Sequence, residues 1–429
     1  MRAIRLSLIL AALTACGTGD AADGSSADDV PKFMLEEEIR IGSMDDPDLG
    51  FSQIGAVDVD SDGNVYVSER SEFAIRIYDA GGKRLRTVGG RGEGPGEFGT
   101  LSSFGVQGDT LWVHDSRLRR ITLFDREGNL LATVPATGVS VPSPPESGFT
   151  ITMRPNAMRP DGRFTSVPGV GISGDPRTLR GGDTLRLPRL VFDASGEVVD
   201  TAGFMRYPTP TLIFESPERI KVGDRELRKP EPPTDQPLVR RLDDGELIVD
   251  RLRSETGDEA VLTVTRLGPV EDTIFRRQFR YTPREYGADA VDSIIASYVS
   301  SGMRAGQIVT VDGMMVAVAG VGGGSGPPPD SAALDRAYRD ALELPKYQPP
   351  VGSYRLGEDG TVWLRREEDG TGTYRWFVLE PDGEPRGEVE VPRALRILWS
   401  DDATVWGVEL DDFEVPWLAK YRIVEAKAR

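Results

Sequence analysis

Apolar and polar residues alternate along this chain in short runs, and each run stops at a pair of turn formers. The best-formed stretch is Asp58-Val-Asp-Ser-Asp-Gly-Asn-Val-Tyr-Val67, followed by Ile75-Arg-Ile-Tyr-Asp79 and Leu85-Arg-Thr-Val88. Asp62-Gly63 and Gly81-Gly82 punctuate these runs. Alternation with a period of two, broken by Asp-Gly and Gly-Gly, predicts short antiparallel strands joined by tight turns.

The strand that follows Asp62-Gly63 recurs. It reappears as Gly108-Asp-Thr-Leu-Trp-Val113, Asp161-Gly-Arg-Phe-Thr165, Asp244-Gly-Glu-Leu-Ile-Val249, Asp359-Gly-Thr-Val-Trp-Leu364 and Asp402-Ala-Thr-Val-Trp-Gly407, which makes six units. This recurring segment is read as the inner strand of each unit. A second hairpin follows in most units, built on Ile121-Thr-Leu-Phe-Asp125, Arg189-Leu-Val-Phe-Asp193, Leu262-Thr-Val-Thr265 and Arg375-Trp-Phe-Val-Leu-Glu380. Two hairpins per unit make a four-stranded antiparallel sheet, and radial packing protects the edges of such sheets. The expected fold is therefore all-β, a six-bladed β-propeller of four-stranded antiparallel blades. The last unit, with Trp417-Leu-Ala-Lys-Tyr-Arg-Ile-Val424, lacks a fourth strand, and Glu36-Glu-Glu-Ile-Arg-Ile41 is the expected donor.

Successive units lie about 40 to 50 residues apart in three intervals and much farther apart in two. The excess predicts insertions at about 204–236 and 282–350. The first is rich in Pro and charge and reads as an extended loop over one face. The second holds two helix-like pieces, 283–299 and 330–344, separated by Gly320-Val-Gly-Gly-Gly-Ser-Gly326. Ala332, Ala333, Leu334, Ala337, Tyr338, Ala341 and Leu342 put an apolar stripe at helical spacing on the second piece. Two roles stay open for these short helical insertions: patching one propeller face, or gating a ligand as a lid.

The amino terminus reads as an address. Arg2 and Arg5 precede Leu6-Ser-Leu-Ile-Leu-Ala-Ala-Leu13, an apolar run too short for the roughly 20 residues that span a bilayer but suited to a signal peptide. Leu13-Thr14-Ala15-Cys16 resembles the bacterial lipobox, and the chain's one Cys falls where that motif needs it. The expected division is a lipoprotein signal peptide over 1–15, a flexible tether of small and acidic residues over 16–35, and the propeller over 36–429. A lipid on Cys16 would attach the protein to a membrane. Gly17 rather than Asp after the cysteine favours the outer membrane, by resemblance to lipoprotein sorting.

Composition narrows the chemistry. A net charge of -18 opposes nucleic-acid binding, which needs clustered Lys and Arg. The 49 Gly and 31 Pro agree with a fold of many turns. One Cys and one His leave no internal disulfide, no Cys/His zinc site and little for histidine catalysis. His114 is read as structural or solvent-exposed.

Asp58, Asp60, Asp62, Gly63 and Glu69 satisfy the EF-hand loop pattern position by position. The flanks alternate like strands instead of forming helices, and the sister units keep only Asp-Gly. A turn former is therefore favoured, with calcium on Asp58, Asp60, Asp62 and Glu69 as the testable exception; no other cofactor is expected. The glycine-rich 89–96 lacks the spacing of a phosphate loop and reads as a linker between blades. Arg117, Arg119, Arg120, Arg276 and Arg277 are read as strand residues on solvent-facing sides, where a solvated face is the default over an anion site. Tyr66, Trp112, Trp363 and Trp406 occupy matching strand positions and are expected to pack between blades.

Val57-Asp-Val-Asp-Ser-Asp-Gly-Asn-Val-Tyr-Val67, Ile75-Arg-Ile-Tyr-Asp79 and Gly92-Glu-Gly-Pro-Gly-Glu-Phe98 resemble NHL-type repeats and the bacterial six-bladed β-propeller lipoproteins built from them. The likeness covers 36–134 and 351–424, and only scattered Asp-Gly turns carry it between. It implies a fold and a compartment. The functional expectation is a monomeric, lipid-anchored binding or scaffold protein of the bacterial cell envelope, its protein or small-molecule ligand unknown. The alternative is a lactonase-like hydrolase, since propellers resembling the gluconolactonase group hold a divalent metal at the central channel without needing histidine.

Overall fold

The computed structural model describes residues 30–44, 46, 49–142, 149–172, 184–208, 218–223, 225–242, 245–303, 308–311, 314–317, 330–366 and 372–426. The leader, Cys16, most of the tether, Asp244 and the glycine loop 320–326 lie outside the described residues.

Six antiparallel blades, the last two of them joined in one sheet, form a six-bladed β-propeller. Blade one comprises Ile54–Val59, Val65–Glu69, Ala74–Tyr78 and Arg84–Gly89, and blade two Ser103–Gln107, Thr110–Asp115, Arg120–Phe124 and Leu130–Pro135. Blade three, Phe149–Met158 to Val198–Pro208, carries an additional short strand, Val139–Val141, beside its first. Blade four runs from Leu238–Leu242 to Thr273–Tyr281 and blade five from Val351–Leu356 to Pro385–Pro392. Blade six is Arg396–Ser400, Thr404–Leu410 and Pro416–Glu425, completed by Lys32–Ile41.

The closing strand begins at Lys32, inside the stretch expected to be tether. Its first residues also pair in parallel with the outer strand of blade five, Lys32 opposite Glu388 and Met34 opposite Glu390. The same segment thus joins blades five and six in one eight-stranded sheet. Glu388, almost fully buried, accepts from Lys32 Nζ at 2.8 Å, with Arg366 Nη1 at 3.4 Å and Arg375 Nη1 at 3.7 Å.

The sequence places the Asp-Gly-initiated strand innermost, and the structure corrects this. First strands of neighbouring blades contact one another, as Ile54–Val59 does with Ser103–Gln107 and Arg396–Ser400 and Ser103–Gln107 does with Phe149–Met158. The recurring strand is second from the axis. That position explains its pattern, because both its faces are covered by adjacent blades. Val65 and Val67 pack with Trp406 of blade six, while Tyr66 packs with Leu111, Val113 and Phe124 of blade two. Trp112 likewise meets Phe164 and Phe192 of blade three, and Trp363 meets Ile397 and Val405 of blade six. The aromatic positions are interblade anchors, as their spacing predicts.

Both insertions leave the ring where an outer strand passes to the next inner one, so both lie on the same face. The first contains a hairpin, Arg219–Val222 with Arg225–Arg228, where the sequence suggests only an extended loop. The second contains helix α1, Ala288–Met303, a small hairpin, Ile308–Val311 with Met314–Ala317, and helix α2, Ser331–Ala341. Val222, Ile295, Leu334 and Tyr338 form a hydrophobic cluster separate from the blade cores. The stripe on α2, Leu334 and Tyr338 above all, therefore buries against α1 and against the hairpin of the other insertion, and the two insertions make one cap, while Ala332 stays exposed.

Candidate functional site

The calcium-like loop resolves into four separate hydrogen-bonding assignments. Asp58 accepts from Val59 N at 2.9 Å and, across the blade seam, from Val106 N at 2.7 Å. Asp60 Oδ1 accepts from the backbone N–H of Asp62 and Asn64, both at 2.9 Å, and its Oδ2 takes Asn64 Nδ2 at 2.9 Å and the Tyr66 hydroxyl at 3.2 Å. This is a side-chain-closed turn, with Gly63 at φ +81° supplying the left-handed residue it needs. Asp62 pairs with Arg126 of blade two. Glu69, fully buried, accepts from Ser52 N, Gln53 N and the Ser71 hydroxyl at 3.0, 2.9 and 2.6 Å. Among the described residues no three acids, histidines or cysteines gather where they could hold a metal.

Glu69 has a counterpart that the sequence reading missed. Asp115, at the matching end of the second strand of blade two, is fully buried and accepts from Gly99 N at 2.6 Å, Arg117 N at 3.0 Å and Leu118 N at 2.9 Å. A buried carboxylate there ties down the backbone entering the blade. In blades four and five the same register position carries Arg251 and Arg366, both buried. Arg251 donates to Gln236 O and Val351 O, each at 2.9 Å. The signal was present in Val249-Asp-Arg251 and Leu364-Arg-Arg366 set beside Val67-Ser-Glu69 and Val113-His-Asp115.

The central channel is lined by first strands, and its charged residues stitch one blade to the next. Arg355 of blade five donates to Ile397 O at 2.6 Å and Leu398 O at 2.7 Å of blade six, and Arg396 of blade six to Ile54 O at 3.0 Å of blade one. Burial, with Arg240 nearby, pulls Arg355 down to about 10. Burial pushes Asp58 up to about 6, and Glu358 and Asp60 add repulsion. His114, 6% exposed, is held below its usual range by burial, with Asp115 opposing and Arg154 assisting that shift.

The remaining sequence candidates also find structural places. The loop 89–96 joins blades one and two, and Arg120 braces it by donating to Gly94 O and Glu97 O at 2.7 and 2.8 Å. Arg117 pairs with Glu93, and Arg277 with Glu384. Arg117 and Arg119 lie in the turn between two strands of blade two and not on a strand as the alternation suggests, Arg119 with a positive φ of +51°. Arg276, opposite Thr265 in blade four, stays on the strand as predicted. These five arginines do not converge on one site.

Among the described residues, a concave feature with converging polar groups lies under the cap. A cleft of about 430 Å³ opens between α1 and blades four and five. Blade residues Arg251, Arg365, Tyr374 and Arg393 form its basic side, and Ser293 and Ile294 of α1 face it. Arg365 and Arg393 each stack over Tyr374, their guanidinium carbons 4.6 and 4.8 Å from the ring centre. None of the described lining residues is acidic, although the chain carries 69 acidic against 51 basic residues.

Comparison with known proteins agrees with this architecture. No curated protein matches the chain. Solved structures that align over most of it include a Bacteroides fragilis protein described as exported, at 9% identity over 92% of this chain and 99% of that one with a TM-score of 0.41. A member of the duf4221 family from Bacteroides vulgatus aligns at 11% identity, 91% and 98% coverage and a TM-score of 0.38. The calcium-binding protein regucalcin from Agrobacterium tumefaciens aligns at 11% identity, 92% and 97% coverage and a TM-score of 0.32. A family model described as a 6-bladed beta-propeller matches residues 47–135, the first two blades of the ring.

Proposed function

We propose that this protein is a lipid-anchored binding protein of the bacterial cell envelope, held at the outer membrane through Cys16, which takes its ligand on the capped face. The observation that carries the binding reading is the cleft between α1 and blade five, where polar and apolar groups converge beneath a cap with its own core. Leu13-Thr14-Ala15-Cys16 after an apolar run supports the anchor. Cys16→Ser is expected to move the protein from the membrane fraction to the soluble one. Continued membrane retention would remove the anchor from the proposal.

A metal-dependent, lactonase-like hydrolysis at the central channel is the second reading, favoured by Asp58 standing near Glu358 beside the axis. Against it, the acids of the calcium-like loop are each committed to different donors. Metal analysis of the purified protein and its melting with and without calcium separate the two. A stoichiometric divalent ion, or a calcium-dependent rise in Tm, supports the hydrolase.

A further inference from the structure

The two ends of the ring are told apart by where the chain enters and leaves each blade. Both insertions join the outer strand of one blade to the first strand of the next, Val198–Pro208 to Leu238–Leu242 and Thr273–Tyr281 to Val351–Leu356. The cap and its cleft therefore lie at the end where outer strands finish. Lys32–Ile41 is itself an outer strand, that of blade six, and it finishes at the capped end, with Ile41 opposite Leu418. It must then start at the other end. Its parallel pairing agrees, because Lys32 lies opposite Glu388, just past the turn 380–384.

The point where the chain leaves the ring toward Cys16 is held in place. Pro31 O accepts from Glu388 N at 2.8 Å, and Lys32 Nζ donates to Glu388 Oε1 at 2.8 Å. Val30 packs against the core shared by blades four and five. We infer that a lipid on Cys16 holds the ring with its uncapped end toward the bilayer, so that the cleft under the cap faces the aqueous compartment and takes a water-borne ligand. This rests on reading Cys16 as the anchor, and adds which face meets the membrane and which meets the ligand.

Lengths decide between the two orientations. Residues 16–29 separate the anchor from Val30. A segment of that length spans about 20 Å as a coil and about 48 Å fully drawn out. Lys32–Ile41, ten residues long, adds a rise of about 33 Å between the exit and the capped end. Bringing the cap to the bilayer means running the tether back along the whole blade, well beyond its coil length, and chain entropy opposes that stretch. With the uncapped end toward the lipid, no stretch is needed. Charge does not reverse the choice. Asp359, Asp382 and Asp402 lie exposed in turns of the uncapped end, and they repel anionic headgroups only within a Debye length, about 8 Å. They hold the ring off the bilayer at a distance that the coil already spans.

The test uses the full-length, lipidated protein in vesicles of phosphatidylethanolamine and phosphatidylglycerol that carry an acceptor dye on the lipid. Once Cys16 is acylated the chain has no other thiol, so one engineered cysteine takes one donor dye. A donor on Ala403→Cys, exposed in a turn of the uncapped end, is expected to lose most of its emission to the lipid acceptor. A donor on Ala332→Cys, exposed on α2 of the cap, should keep most of it. Asp402→Cys and Ser331→Cys repeat the comparison at neighbouring exposed positions, should either label disturb the fold. Equal transfer from both ends overturns the orientation and leaves the anchor standing. So does the reverse order, which would press Phe413, 75% exposed in the turn 411–415 at the capped end, into lipid. Transfer from neither end, with the protein left free in solution, removes the anchor and the orientation with it.

Discussion

At the scale of single residues, burial turns two titrating side chains into pH-dependent terms of opposite sign. Asp58 is pushed up to about 6 chiefly by burial, with repulsion from Glu358 and Asp60 adding to it. Between its unfolded pKa, about 3.9, and that value the folded state holds a proton the unfolded state lacks, so its contribution rises as pH falls from about 6 to about 4. His114 is depressed, chiefly by burial. Its contribution is complete above about 6.5 and is lost as pH falls through that value toward the folded pKa. Melting curves across pH 4 to 8 are expected to show the difference. Asp58→Asn should lose on the order of 1 kcal/mol of the stabilisation gained on acidification, the full shift being cut by water access. His114→Gln should instead flatten the loss of stability below about pH 6.5. Parallel curves for wild type and Asp58→Asn would mean that the carboxyl titrates normally.

At the scale of elements, the linker at 89–98 shows what close packing demands. Gly89 adopts φ +93°, and a Cβ there would lie 2.3 Å from Cε2 of Phe98. Phe98 cannot retreat easily, being fully buried edge-on to Phe124 at 6.1 Å. Gly89→Ala therefore combines a strained backbone with an overfilled core and is expected to cost about 3 kcal/mol. In a double-mutant cycle by urea unfolding, Gly89→Ala should cost less in a Phe98→Ala background; strict additivity would refute the clash. The same element marks how far the sequence was legible. Glycine spacing announced a linker, Asp-Gly turns counted the blades, and Tyr66, Trp112, Trp363 and Trp406 announced the seams, because local periodicity encodes these directly. The position of the recurring strand was misread, since alternation says which faces are buried but not how far a strand stands from the axis. The four acids of the calcium-like motif read as a ligand set only in one dimension. In the fold Asp58 turns to blade two, Asp60 closes its own turn and Glu69 caps the incoming backbone. The cleft was invisible for a related reason: Arg251, Arg365, Tyr374 and Arg393 come from different strands and loops, and only the ring and its cap bring them together.

At the scale of the whole molecule, closure depends on one strand that serves two blades. Lys32–Ile41 completes blade six by antiparallel pairing from Phe33–Glu425 to Ile41–Leu418, and its first residues run parallel to blade five around Glu388. Glu388 is 1% exposed, with Lys32, Arg366 and Arg375 around it. Removing one partner from a buried ionic cluster strands charge in a medium that solvates it poorly, and Glu388→Gln is expected to cost about 3 kcal/mol. The loss should be local in origin. Hydrogen exchange should quicken first at Lys32–Met34 and Glu388–Glu390, the parallel register, while Val65–Glu69 and Thr110–Asp115 keep their protection. Lys32→Met isolates the contribution of the strand's own charge, and it should cost less than Glu388→Gln because the Lys32 side chain is 44% exposed. If exchange instead rises equally in all six blades, the ring opens as a single unit, and the double role of the closing strand is not where its stability is decided.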